Sequence, residues 1–211
     1  ELWYLGHPTS SKMFDMPILA LRENAGELME RKYPVPGADT VIGVPDSGVA
    51  FAAGYARSGR SGSLSLGITR HHHTGRTFIQ ATDNLQLEKA RQKYQRSRHA
   101  IAGKKVVLVD DSIVRLTTAP IVAKMLWDAG AAEVHFRIAF PPIKHPCFYG
   151  VKMEARERLI AANASIEEIA RKINATSLAY TTLDDLHSLI ADPRENWCNA
   201  CVTGNYWHKA A

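Results

Sequence analysis

Short apolar runs alternate with stretches of helical period along most of the chain, a pattern that predicts an α/β fold. Residues 40–44 (TVIGV) read as a buried strand that breaks at Pro45-Asp46-Ser47-Gly48. The small residues from about 49 to 57 then read as a helix. Residues 63–68 predict a second short strand, and the charged stretch 88–98 is compatible with helix. The clearest strand is 105–109 (KVVLV), behind a turn at Gly103. Residues 121–129 have helical period, and Gly130 stands where a C-cap glycine belongs. Another strand is predicted at 133–140 (EVHFRIAF), and helical patterns at 166–173 and 183–190 flank an apolar stretch at 177–181.

Strands that are apolar on both faces and separated by helices imply a mainly parallel sheet covered on both sides. Ligands of such sheets sit beyond the carboxyl ends of the strands. The loops to watch therefore follow Val44, Ile68 and Val109.

Composition narrows the picture only a little. The chain has 211 residues, 45% hydrophobic and 22% charged, enough for one folded domain and too apolar for intrinsic disorder. A net charge of +5 suits an anionic small molecule, an acidic partner or nucleic acid. No helix-turn-helix pattern accompanies it, which weighs against nucleic acid. No apolar run is long enough to span a bilayer, and no apolar signal segment opens the chain. Glu1 in place of Met reads as a processed product or a fragment. Three Cys in a chain of this size point to a reducing compartment, taken as cytoplasmic, and to metal or redox use rather than disulfides.

The densest chemistry is residues 106–118 (VVLVDDSIVRLTT). A buried strand runs into two adjacent carboxylates, then an Arg, then two Thr where a helix begins. Thr117 or Thr118 is placed to cap that helix, whose first N–H groups form an anion site. Two carboxylates beside an anion site can bind vicinal hydroxyls, or a divalent ion shared with a phosphate. Paired Asp after a strand can also simply cap a turn. The whole run fits a sugar phosphate better.

The run resembles the phosphoribosylpyrophosphate motif of type I phosphoribosyltransferases, in the form VVLVDDSIVRGTT of glutamine phosphoribosylpyrophosphate amidotransferases. The resemblance extends over nearly the whole chain. Residues 41–48 (VIGVPDSG) look like the family's pyrophosphate loop, 75–79 (GRTFI) like its mobile closing loop, and 141–150 (PPIKHPCFYG) like its PP…PCFYG stretch. It implies a type I phosphoribosyltransferase fold spanning 1–211, with a core at 38–150 and a small C-terminal helical extension at 151–211. It implies that Asp110 and Asp111 contact the ribose hydroxyls and, with Ser47, a magnesium ion, and that Ser112 belongs to the substrate-binding set. Asp46, Ser47 and Gly48 would hold pyrophosphate, Arg115, Thr117 and Thr118 the 5′-phosphate, and Arg76 and Lys93 would meet the leaving group. The implied reaction moves phosphoribosyl to ammonia with loss of pyrophosphate. Alternatives are another acceptor, or a non-catalytic nucleotide-binding descendant. The family's glutaminase domain has no counterpart in these residues, so ammonia would come from an upstream domain or a separate subunit. A homo-oligomer is also implied.

Three departures stand out. Leu116 replaces a Gly, which adds bulk at the tightest part of the phosphate loop and predicts that Leu116→Gly tightens binding. His71-His72-His73 replace Asn, a basic residue and Tyr, and Lys152 replaces an Asp. Consecutive His rarely point to one centre, so the triplet reads as a solvated or phosphate-facing loop.

Cys198 and Cys201 form C-x-x-C, with Cys147 upstream. Idle thiols, a redox pair and a zinc site all fit the residues alone. One subclass of the resembled family carries a [4Fe–4S] cluster on four Cys, and these three match three of its ligand positions. The fourth would lie before Glu1.

Overall fold

The structure is a computed structural model, and it describes residues 6–13, 15–70, 94–149, 155–190 and 197–207. Its centre is a parallel sheet of short strands. In chain order these are β3 (Thr40–Gly43), β4 (Ser63–Leu64), β7 (Lys105–Asp110), β8 (Glu133–Ile138) and β9 (Ser177–Tyr180). Among the described residues their spatial order is β4-β3-β7-β8-β9, with every pairing parallel. Among the described residues two antiparallel pairs lie outside it. One joins β1 (Lys12–Met13) to β2 (Met16–Pro17), the other β5 (Ile68–Arg70) to β6 (Tyr94–Arg96).

Side chains alternate across the sheet, as the pleat requires. Val106 and Leu108 enter one core with Ile121, Val122, Met125 and Leu126 of a helix at Ala119–Asp128. Val107 and Val109 enter the other, against helix α1 (Ile18–Lys32) and helix α2 (Gly48–Ala56). Ile18, Leu21, Ala25 and Met29 form the buried stripe of α1. Its crossing with α2 is a backbone contact: a Cβ on Gly26 would lie 2.0 Å from the Phe51 carbonyl oxygen, and one on Gly54 1.8 Å from that of Glu23. Both faces are thus covered, which is why the strands read as continuous apolar runs.

Several sequence expectations change. Helix α1 had no counterpart in the predicted elements. Residues 63–68 are not one strand, because the chain leaves the sheet at Gly67, where a Cβ would sit 2.5 Å from Ile42 Cδ1. Ile68–Arg70 then pairs with Tyr94–Arg96, so the described end of the 88–98 stretch is strand rather than helix before a short turn of helix at Arg98–Ile101. Pairing and burial of Ile68 and Tyr94 override the local charge pattern. Strand β8 stops at Ile138, and the N–H groups of Ala139 and Phe140 instead donate to the carbonyls of Asp110 and Asp111. The apolar stretch at 177–181 supplies the last strand of the sheet, so the segment from 151 onward is part of the sheet as well as helical.

The order β4-β3-β7 fixes where a ligand belongs. From β3 the chain moves outward to β4, then returns to the other side of β3 as β7. This reversal opens a crevice between the carboxyl ends of β3 and β7.

Candidate active site

Beyond β3, the turn Val44–Gly48 is held by the Val44 N–H donating to the Val109 carbonyl at 2.9 Å, and the Gly48 N–H to the Val44 carbonyl at 2.9 Å. Gly48 permits this approach: a Cβ there would lie 2.6 Å from the Val109 carbonyl oxygen. The two loops therefore touch through main chain, and their side chains meet. Ser47 Oγ donates to Asp111 Oδ2 at 2.5 Å, and Ser112 Oγ to Asp111 Oδ1 at 3.1 Å. The Asp111 N–H donates to Asp110 Oδ1 at 2.9 Å. Asp110 thus caps its own turn while remaining at the cavity wall.

The crevice is a cavity of about 670 Å³. Of the residues singled out from sequence, Asp46, Ser47, Asp110, Asp111, Ser112, Arg115, Thr117 and Thr118 line it together, with Gly48 supporting the loop from behind. Arg76 and Lys93 lie outside the described residues, as do the His triplet and Lys152. Thr118 occupies the helix N-cap position, but neither its hydroxyl nor any other side chain caps the helix. The reason is local: Thr118 is in the right-handed helical region (φ −92, ψ −47), not the extended region that carries the hydroxyl over the first turn.

Four contributors were not singled out by the sequence. Arg70 lines the mouth, its Nη1 on Asp46 Oδ2 at 2.5 Å. Tyr94 is buried against the carboxylates, and burial, then the negative charge of Asp110, pushes its phenol up to about 12. It stays protonated at neutral pH. The segment Gly6-His7-Pro8 forms a further wall, and behind it lies the buried guanidinium of Arg22. The pairing of β5 with β6 brings Arg70 and Tyr94 together across 23 intervening residues, which no local motif could announce.

The comparisons with known proteins agree with this geometry. A chloroplastic amidophosphoribosyltransferase of Vigna aconitifolia is 42% identical over 197 residues, covering 93% of this chain and 40% of that protein. The amidophosphoribosyltransferase of Bacillus subtilis (strain 168) is 40% identical over 210 residues, covering 98% and 44%. A solved structure of glutamine phosphoribosylpyrophosphate amidotransferase from B. subtilis, complexed with ADP and GMP, superposes with a TM-score of 0.86 at 39% identity, covering 98% of this chain and 46% of that one. The chain belongs to the glutamine phosphoribosylpyrophosphate amidotransferase family. It spans about 40% of the length of the curated relatives it matches. No family model matches it. The sheet flanked by helices is the type I phosphoribosyltransferase fold of that family.

The described non-Gly residues at positive φ are Asp15 and Asn174, so Leu116 does not strain the loop. Its side chain packs against the core cluster under the Ala119–Asp128 helix, and the cavity wall runs from Arg115 to Thr117 without it. This packing argues against the expectation that Gly would tighten binding. Leu116→Gly should lose packing and loosen the loop, costing about 1–3 kcal/mol of stability. Affinity for phosphoribosylpyrophosphate should stay level or fall. Thermal unfolding and calorimetry check this, and a tenfold tightening would contradict it.

The cysteines gather at another corner. The N–H groups of Lys144 and His145 both donate to the Cys201 carbonyl, at 2.9 and 3.0 Å, which ties the Cys147 loop to the C-x-x-C segment. All three are free thiols. Burial first, then the neighbouring Cys198 and Cys147, pushes the Cys201 thiol up to about 11. Among the described residues no three His, Cys, Asp or Glu side chains close around a common metal position. The corner therefore assembles donors of the right softness without itself completing a site.

Proposed function

We propose that the chain is the phosphoribosyl-transferring part of an amidophosphoribosyltransferase, taking phosphoribosylpyrophosphate and ammonia to phosphoribosylamine and pyrophosphate. The observation that carries this reading is one cavity at the sheet's switch point, lined together by Asp46 and Ser47, by Asp110 and Asp111, and by Arg115, Thr117 and Thr118, with Ser47 bonded to Asp111. A sugar bearing a phosphate at one end and a diphosphate at the other matches that set of groups.

No protein nucleophile is needed. The bond from ribose carbon 1 to the diphosphate oxygen breaks, the electron pair leaves with pyrophosphate, and ammonia forms the new carbon–nitrogen bond and gives up a proton. Catalysis is then positioning plus stabilisation of leaving-group charge. Asp111, fixed by Ser47 and Ser112, and Asp110, fixed by its own turn, orient the ribose hydroxyls. Arg115, Thr117 and Thr118 take the 5′-phosphate. Ser47 and the turn around it take the diphosphate, with Arg76 and Lys93 assigned to the leaving group by resemblance. Two carboxylates open to a cavity suit magnesium, which retains waters and substrate phosphates in its shell rather than needing a closed protein cage. Held by Asp110 and Asp111 near Ser47, it would neutralise the developing charge on the diphosphate.

Ammonia would be delivered by a glutamine-hydrolysing domain or subunit outside these residues, and the working unit would be a homo-oligomer. Among the described residues no helix is long and apolar enough to cross a membrane. Free thiols suit a reducing compartment such as the cytoplasm. The test of the reading is magnesium- and ammonia-dependent release of pyrophosphate from phosphoribosylpyrophosphate.

We also assign Cys147, Cys198 and Cys201 to a [4Fe–4S] cluster whose fourth ligand comes from outside the chain. Full-length protein purified without oxygen should contain about four iron and four sulfide per chain, with broad visible absorbance. Stoichiometric zinc, or no metal, would contradict the assignment.

A further inference from the structure

The cavity has one wall that the ribose, phosphate and diphosphate assignments leave unexplained, and Arg22 stands behind it. This side chain rises from the second turn of α1 and is only 4% exposed. Its Nη2 donates to the Gly6 carbonyl at 2.8 Å, and its guanidinium carbon lies 5.9 Å from the centre of the Phe51 ring on α2. It also reaches the cavity surface beside Asp111. Burial lowers its pKa and the carboxylate of Asp111 raises it. An arginine remains charged throughout the working pH range, so this is a permanent buried cation. Burying such a charge is costly unless it is paired and hydrogen-bonded, and here partners come from several directions. They include the N-terminal segment, α2, and the Asp111 loop that follows β7.

We propose that Arg22 is a positioning residue for the transfer. It clamps the Gly6–Pro8 wall to α1 and sets that wall against Asp111, so that the two sides of the cavity keep one spacing around the ribose. The inference rests on the proposed function, because the spacing matters only if a ligand sits between those walls. Its chemistry is distinct, however, since the ribose and phosphate contacts fall to other residues. A planar guanidinium can stack on a ring, bond a carbonyl and face a carboxylate at once. Lys keeps the charge but not this combination, which separates clamping from charge alone.

The test uses full-length protein, and wild-type binding of phosphoribosylpyrophosphate with magnesium is measured first. If wild type does not bind, the proposed function fails before Arg22 is tested. Given binding, Arg22→Met should speed backbone hydrogen exchange of residues 6–11 in the unliganded protein. It should also lower kcat at least tenfold while KM for phosphoribosylpyrophosphate moves less than threefold. Arg22→Lys should fall between wild type and Arg22→Met in both readouts. Should Arg22→Met fail to fold, Arg22→Lys still carries the test through faster exchange at 6–11 and reduced kcat. Wild-type exchange and kcat in the folded variants would overturn the proposal. So would equal losses in both variants accompanied by collapse of the thermal midpoint, which would make Arg22 a packing residue only.

Discussion

Replacing Asp110 and Asp111 together with Asn should abolish measurable magnesium-dependent binding of phosphoribosylpyrophosphate. Each carboxylate lost removes a charge-assisted hydrogen bond worth roughly 1.5–3 kcal/mol. Two such losses correspond to a fall in affinity of about 10² to 10⁴, before any loss of the metal is counted. The fold should survive. An Asn at 110 can still accept from the N–H of residue 111, and an Asn at 111 can still accept from Ser47 or Ser112. Strand β7 and its pairing with β3 and β8 are untouched. Calorimetry with the double variant, alongside its thermal midpoint, checks both halves. Unchanged binding would remove the ribose and magnesium assignment.

Gly48→Ala should have the next largest effect, through geometry rather than charge. The added Cβ would lie 2.6 Å from the Val109 carbonyl oxygen and 3.4 Å from Asp110 Cα. These are main-chain atoms of a fully paired strand, so no rotamer change relieves the contact. The turn must retreat from β7, which stretches the Val44 N–H bond to Val109 and draws Ser47 away from Asp111. Overpacking of this kind costs about 1–3 kcal/mol of stability. Loss of one charge-assisted contact in the site adds about tenfold or more in affinity. The expected result is a lower thermal midpoint and phosphoribosylpyrophosphate binding weakened at least tenfold. Wild-type affinity in Gly48→Ala would mean that the two loops need not touch for the site to work.

What the sequence could and could not announce follows from where each contact comes from. Asp110, Asp111, Ser112, Arg115, Thr117 and Thr118 are neighbours in the chain, so one strand running into one loop displayed them together. The turn at 46–48 follows another apolar strand and was equally visible. Pairing β3 with β7 then needed only the rule that ligands gather beyond strand ends. Arg22, Arg70 and Tyr94 are different. Each reaches the cavity through tertiary pairing, of α1 with α2 or of β5 with β6, and no spacing in the sequence encodes such a meeting. The buried stripe of α1 is readable in principle, but nothing in it marks Arg22 as other than a surface charge. Leu116 illustrates the opposite case. Substitution of a glycine by a bulky residue looked disruptive, yet the direction of its side chain depends on the core beneath the following helix. Gly67 likewise hid a break inside what looked like one strand, because its role is a close approach to Ile42.

The most direct test of the central claim is release of pyrophosphate by the full-length protein supplied with phosphoribosylpyrophosphate, magnesium and ammonium ions. The account predicts that release depends on ammonia and on magnesium, is matched by phosphoribosylamine formed, and disappears in the Asp110→Asn, Asp111→Asn variant. Tight magnesium-dependent binding without ammonia-dependent release, or release that persists in that variant, would contradict it.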